Sequence, residues 1–196
     1  MLRVRDTITN QGVPWDLQAT KEAFDAGVKA WEDSEECRKL TSALMEHTTP
    51  DNITKILAFA CGSILDNDLD QRRRTANQHA SILTIKRVLQ TKNAPTNVEI
   101  ECYAQNPAYT GSDRTVLEGA GIRVLEDPHV FLEVDDSSVV LSFAPTAPVR
   151  QIVADLARPA FMIWNKVKGE DETLQFWSDF WPDRTWGSLE ELEGIL

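Results

Sequence analysis

The chain lacks any apolar run near the roughly 20 residues that a membrane-crossing helix needs, so no membrane partner is expected. Its first residues, Met1-Leu-Arg-Val-Arg-Asp-Thr7, carry base but no apolar stretch of the kind a secretory signal requires. Cysteine is scarce. Cys37, Cys61 and Cys102 are odd in number, widely spaced and without a Cys-x-x-Cys pair, which disfavours a disulfide framework or zinc knuckle and suits a reducing compartment. Cytoplasmic or nuclear residence is therefore the expectation. Histidine is scarcer in pattern than in number: His47, His79 and His129 show no i, i+4 pairing of the kind that preforms a zinc site. Base is short as well, with 20 Lys and Arg against 31 Asp and Glu, a net charge of −11. A general nucleic-acid footprint needs a basic face, so that class of partner is disfavoured.

A length of 196 residues, 42% hydrophobic and 26% charged, fits a soluble globular protein of one domain with extensions. The charge is uneven. Lys55 to Lys168 holds 13 acids and 13 bases, the residues before it 10 acids and 6 bases, and those after it 8 acids and 1 base. An electrically neutral body between acidic flanks predicts an arm and helical extension over 1–52, an α/β domain over 53–168, and a C-terminal segment over 169–196.

The body is organised around Lys55-Ile-Leu-Ala-Phe-Ala-Cys-Gly-Ser63. Ile56 to Phe59 is apolar without alternation, as in a strand buried on both faces of a parallel sheet. Gly62-Ser63 ends it, and a helical pattern runs from about Thr75 to Leu89. Further strands are expected at Val98–Tyr103, nearer an edge because it alternates, and at Ile122–Leu125, Ser138–Phe143 and Ala160–Trp164. Short helices are expected after Ser112, as an N-cap, over Pro128–Glu133, and from Pro148 to Leu156. Ahead of the body, Phe24, Val28 and Trp31, then Cys37, Leu40 and Leu44, follow helical spacing. Ser34-Glu-Glu36 interrupts them, which predicts one broken helix or two, with Ser34 a cap. The fold class is thus α/β: a Rossmann-like three-layer sandwich with a mostly parallel sheet of about five strands and helices at both ends.

The chemistry is sparse. A dinucleotide site needs G-x-G-x-x-G and an acid about 20 residues on, but only Gly62 is present and the second strand ends without an acid. Cys61-Gly-Ser63 lacks the G-x-S-x-G frame of a hydrolase elbow. Cys61 at a strand end is either a reactive thiol or a small buried hydrophobe. Asp66-Asn-Asp-Leu-Asp70 opens like a calcium loop, yet Gln71 stands where glycine is needed and Asn77 where glutamate is needed. Its acids otherwise favour the start of the next helix. Arg72-Arg-Arg74 either balances those acids or offers one arginine to an anion. His79 is the histidine nearest the expected cleft. The Gly62 and Ser63 amides suit a small anion such as a nucleotide, and a helix starting there would complete the pocket. With Gln78 and Asn106 they form the candidate ligand site. Asn106, Tyr109 and Asn165 are neutral hydrogen-bonders at strand ends, a composition that suits binding better than acid–base catalysis. No motif names a cofactor or a metal.

Ala60-Cys-Gly-Ser63 with Gln78, then Gln105-Asn-Pro-Ala-Tyr-Thr110, Leu117-Glu-Gly-Ala-Gly-Ile122, Phe143-Ala-Pro145 and Ile163-Trp-Asn165 together resemble the Sensitivity to Red Light Reduced domain over roughly Ile53–Val167. The resemblance implies a fungal-type member of a family linked to circadian and light signalling and to regulation of haem synthesis. It implies no settled enzymatic activity, and it adds Pro145 to the candidate site. The chain departs from the family pattern in three places. Ala60 replaces a usual glycine, Asn106 a usual aspartate, and Thr146-Ala147 a histidine and cysteine, so a haem or metal site built on that pair loses its support. A regulatory protein that binds a protein partner or a small ligand is the leading expectation. An enzyme or sensor for a small anion is the alternative. The tail, where Leu174, Trp177 and Trp181 recur at helical spacing beside Phe176 and Phe180, either packs on the body or binds a partner.

Overall fold

The computed structural model describes residues 16–93, 98–143, 145 and 147–164. The arm through Trp15, Asn165 and the acidic tail lie outside these residues. Eleven elements follow one another among the described residues: α1 (Leu17–Glu32), α2 (Glu35–Glu46), β1 (Lys55–Phe59), α3 (Leu69–Lys92), β2 (Glu101–Gln105), α4 (Gly111–Gly119), β3 (Ile122–Val124), α5 (His129–Leu132), β4 (Ser138–Ser142), α6 (Val149–Leu156) and β5 (Phe161–Trp164). The five strands are all parallel, in the order β3-β2-β1-β4-β5. This is the expected Rossmann-like sandwich, with helices on both faces of the sheet.

Strand alternation sorts the core into two halves. Ile56 and Ala58 of β1, with Cys102, Val139 and Ile163, face α3 and α4. Leu57 and Phe59, with Tyr103 and Val140, face α5 and α6. A strand apolar at both phases can be buried on both sides, and β1 and β4 are. The two N-terminal helices pack outside α3 rather than on the sheet. Trp31 is fully buried there, and its indole Nε1 donates to Thr84 Oγ1 at 3.0 Å. Ser34 is the cap of the second helix, its hydroxyl accepting from the Cys37 amide at 3.0 Å.

Several boundaries move. The helix expected from about Thr75 begins at Leu69, because Asp68 caps it and accepts from the Asp70 and Gln71 amides. The three arginines therefore ride in its first turns, and Arg72 Nε donates to the Asp66 carbonyl. The cap of α4 is Thr110, not Ser112. It forms a reciprocal capping box with Asp113, and Ser112 is buried inside the helix. The strand expected at Val98–Tyr103 runs from Glu101 to Gln105 and lies one place in from the edge, which β3 occupies.

Candidate functional site

The strand order reverses at β1: the chain builds outward to β2 and β3, then crosses to β4 and β5 on the other side. In open α/β sheets such a switch point leaves a crevice beyond the carboxyl ends of the strands. Gly62 and Ser63 follow β1, Asn106 and Tyr109 follow β2, and Pro145 follows β4 at this end of the sheet. Phe59 is opposite Gln105 on one side and Ser142 on the other. Ala60 continues the pairing by donating its amide to the Gln105 carbonyl at 3.1 Å, but at φ 63° it sits in the left-handed region. Gly62 is left-handed too, at φ 77°, and a Cβ there would lie 2.6 Å from Thr75 Oγ1. Glycine is thus required by backbone angle and by close approach to α3.

Ser63 and the loop behind it are held by Asp113, which is 1% exposed. Ser63 Oγ donates to Asp113 Oδ2 at 2.9 Å, and the Ile64 amide donates to Oδ1 at 2.9 Å. Thr110 donates to Oδ2 through its amide at 2.7 Å and its hydroxyl at 2.8 Å. One buried carboxylate therefore ties the loop after β1 to the start of α4, and its lone pairs are satisfied. Since α3 begins at Leu69, no helix N-terminus follows directly on Ser63, and the first turn of α3 already has the Asp68 carboxylate as its cap.

Behind this loop lies a second buried group. His79 Nε2 and the Tyr109 hydroxyl share a hydrogen bond of 2.8 Å, with the rings 5.8 Å apart, and the buried Cys61 thiol lies in the electrostatic reach of the same hydroxyl. Burial pushes the Cys61 thiol up to about 12, against the opposing influence of Tyr109. Burial pushes His79 down to about 4, opposed by the Thr75 carbonyl and the charge of Asp113. His79 Nδ1 lies within hydrogen-bonding geometry of no acceptor, so the Thr75 carbonyl acts on it only as a nearby dipole. Burial raises Tyr109 well above its ordinary value, with Cys61 and Asp113 adding to the effect. All three stay neutral around pH 7, and the thiol has no base able to ionise it.

The remaining candidates are more open. Gln78 is half-buried on α3. Asn106, half-buried, closes a turn: its Oδ1 accepts from the Ala108 amide at 2.8 Å and its carbonyl from the Tyr109 amide at 3.2 Å. Pro145 is half-buried after β4. The structure thus joins Ser63 to Thr110 through Asp113, and Asn106 to Tyr109 through the turn between them. Two residues the sequence reading passed over stand out on the α5/α6 face. Gln105 donates through Nε2 to Asp127 at 2.9 Å, but among the described residues its Oε1 is buried without a partner, and so is Ser142 Oγ. They flank Phe59, which stacks on Phe131 with ring centroids 4.6 Å apart. Further along this end of the sheet, Arg150 lies over the Trp164 ring at 5.0 Å. Among the described residues no group of three or more His, Cys, Asp or Glu could hold a metal ion, and no helix is long and apolar enough to cross a membrane.

A family model, the SRR1 domain, matches residues 39–189. The chain belongs to the SRR1 domain family. No curated protein and no solved structure gives a match. The SRR1 match begins inside α2 and runs past β5 into the acidic tail. It therefore spans the whole sheet and every candidate residue from Gly62 to Asn165. Asp113 was missed because its bonds to Ser63 and Ile64 cross about 50 positions of sequence. Only the Thr110-x-x-Asp113 spacing of a capping box was there to be read.

Proposed function

We propose that this SRR1 domain protein is regulatory, and that it acts by binding a protein partner rather than by turning over a substrate. The supporting observation is the state of its strand-end groups. Acid–base and nucleophilic catalysis want groups poised near the working pH. Here the thiol is raised to about 12 and the imidazole lowered to about 4, both fully buried, the imidazole on the Tyr109 hydroxyl. With this reading go work in the cytoplasm or nucleus and the family's links to light signalling, circadian timing and haem synthesis. The test is functional replacement in source cells. Cys61→Ser removes the thiol yet keeps the volume and a hydrogen-bonding group. Cells carrying it should behave as wild type, with the same partner retained on affinity purification. Loss of function from a stably folded Cys61→Ser chain would point to chemistry at the thiol and defeat the proposal.

A second reading, a sensor for a small anionic ligand such as a nucleotide, draws support from the unpartnered Ser142 Oγ and Gln105 Oε1. Buried polar atoms are nearly always paired, and these two flank β1 at the switch point. A ligand at 100 times its Kd would stabilise the fold by about 2.7 kcal/mol. A thermal-shift series with nucleotides, S-adenosylmethionine and haem should then give a rise that Ser142→Ala diminishes. A flat response throughout would remove this reading.

A further inference from the structure

The edge strand β5 borders an apolar groove that the described residues leave open. Leu44 and Ala43 from the last turns of α2, His47 and Pro50 from the loop after it, and Ala160 and Phe161 at the start of β5 line a cavity of about 170 Å³. Phe161 pairs with Val139 and packs, with Ala160, against the α3/α4 side of the core while staying half-exposed. That side is covered over β1 to β3 by α3 and α4, whereas α6, the helix joining β4 to β5, belongs to the opposite side.

The chain leaves β5 at Trp164 and continues for 32 residues. The SRR1 domain match extends through residue 189, so most of that length belongs to the same domain as the sheet. We propose that Leu174–Trp181 docks in cis in the groove between α2 and β5. Leu174, Trp177 and Trp181 recur at steps of three and four, which sets one apolar face. The ten residues from Trp164 to Leu174 reach at most about 33 Å. That exceeds the roughly 13 Å length of a four-residue strand, so the segment can return along β5 to the groove. Charge agrees. Residues 169–196 hold 8 acids and 1 base, with Asp179 between the aromatics. Beside the groove, Lys92 Nζ donates to the Leu44 and His47 carbonyls at 2.8 and 2.6 Å, and among the described residues it has no carboxylate partner.

Chymotrypsin cleavage after Phe176, Trp177 and Phe180 reads the docking directly, the bond after Trp181 being closed to the protease by Pro182. In the full chain these bonds should be cut roughly tenfold or more slowly than in a synthetic peptide of residues 165–196. The protection should not change on dilution. Ala43→Glu, which puts charge into the groove, should abolish it, while Ala30→Glu on the exposed face of α1 should leave it intact. Should Ala43→Glu fail to fold, Trp177→Ser with Trp181→Ser alters the segment alone and should raise cleavage at Phe176 and Phe180. Peptide-like cleavage of the wild-type chain would overturn the proposal, as would protection that survives these substitutions. Protection that falls on dilution would mean that a second copy supplies the segment, which also overturns it.

Discussion

At Ala60 a methyl group occupies backbone space that glycine enters freely. Left-handed φ costs an L-residue about 1–2 kcal/mol, and φ here is 63°. The family resemblance has glycine at this position. Ala60→Gly should therefore stabilise the chain, by about 0.5–1 kcal/mol once the greater freedom of glycine in the unfolded chain is subtracted. Urea titration of the two proteins reads the difference, and a lower midpoint for Ala60→Gly would contradict the strain argument. His79 gives a second residue-level effect, on pH. Its folded value is depressed to about 4 from 6.5 by burial, so the unfolded chain takes up the proton first. The sign follows: stability is complete above pH 6.5, falls as pH drops toward 4, and is flat below that as far as His79 is concerned. At about 1.4 kcal/mol per unit, the loss is about 3 kcal/mol. Asp135 acts in a separate window. Burial would raise it, but bonds from Lys55, Ser137 and Ser138 hold it well below its ordinary 3.8, so its contribution is lost only at lower pH. Urea midpoints measured between pH 7 and 4 should slope in wild type and lie nearly flat in His79→Gln, within about 1 kcal/mol. A slope retained in the variant would assign the effect to other groups.

At the scale of elements, the crossing of α1 over α3 depends on an absent side chain. A Cβ at Gly27 would lie 2.5 Å from the Ala76 Cβ. Helix propensity favours alanine over glycine by about 1 kcal/mol, yet neither methyl can swing aside and the helices must separate. Gly27→Ala should therefore destabilise by about 1–3 kcal/mol. Adding Ala76→Gly should recover most of the loss, apart from its own propensity penalty. A thermal melt of the single and double variants decides it, since additive losses would place the two sites out of contact. Neither residue announces this contact in the sequence, because the helices that meet there are set by tertiary packing. The strands were more legible. Ile56–Phe59 and Val139–Leu141 are apolar at both phases, and only a strand covered on both faces uses such a run. The start of α3 was obscured because Asp70-Gln-Arg-Arg-Arg74 has no apolar face, although Asp68 carried a cap signal. The site divides in the same way. Gly62, Ser63 and Tyr109 were marked by position at strand ends, whereas Gln105 fell in the loop expected after Tyr103 and Ser142 read as an ordinary strand residue. Their interest lies in what fails to meet them.

For the whole molecule the question is where the cooperative unit ends. The SRR1 domain match starts at Lys39, which leaves α1 outside it. A boundary near residue 52 would make the entire helical pair an extension. The packing argues for a larger unit. Phe24 and Trp31 of α1 and Leu40 and Leu44 of α2 belong to the same buried cluster as Ile56, Ile85 and Val139. The Trp31–Thr84 bond lies inside it, and the Lys92 ammonium caps the carbonyls at the end of α2. Separating the pair from α3 would expose Trp31 and leave Thr84 and Lys92 without these partners. Truncating a buried tryptophan costs about 3–5 kcal/mol, a large share of the roughly 5–15 kcal/mol that stabilises a domain. Native-state hydrogen exchange should therefore find the central amides of α1 opening with the same free energy and denaturant dependence as those of β1 and β4. Exchange in α1 at several kcal/mol below the sheet, with a shallower denaturant slope, would make the N-terminal pair a separate unit docked on α3. If the two coincide, the functional unit starts near Leu17, and a chain trimmed to the family boundary at Lys39 would lose the fold along with α1.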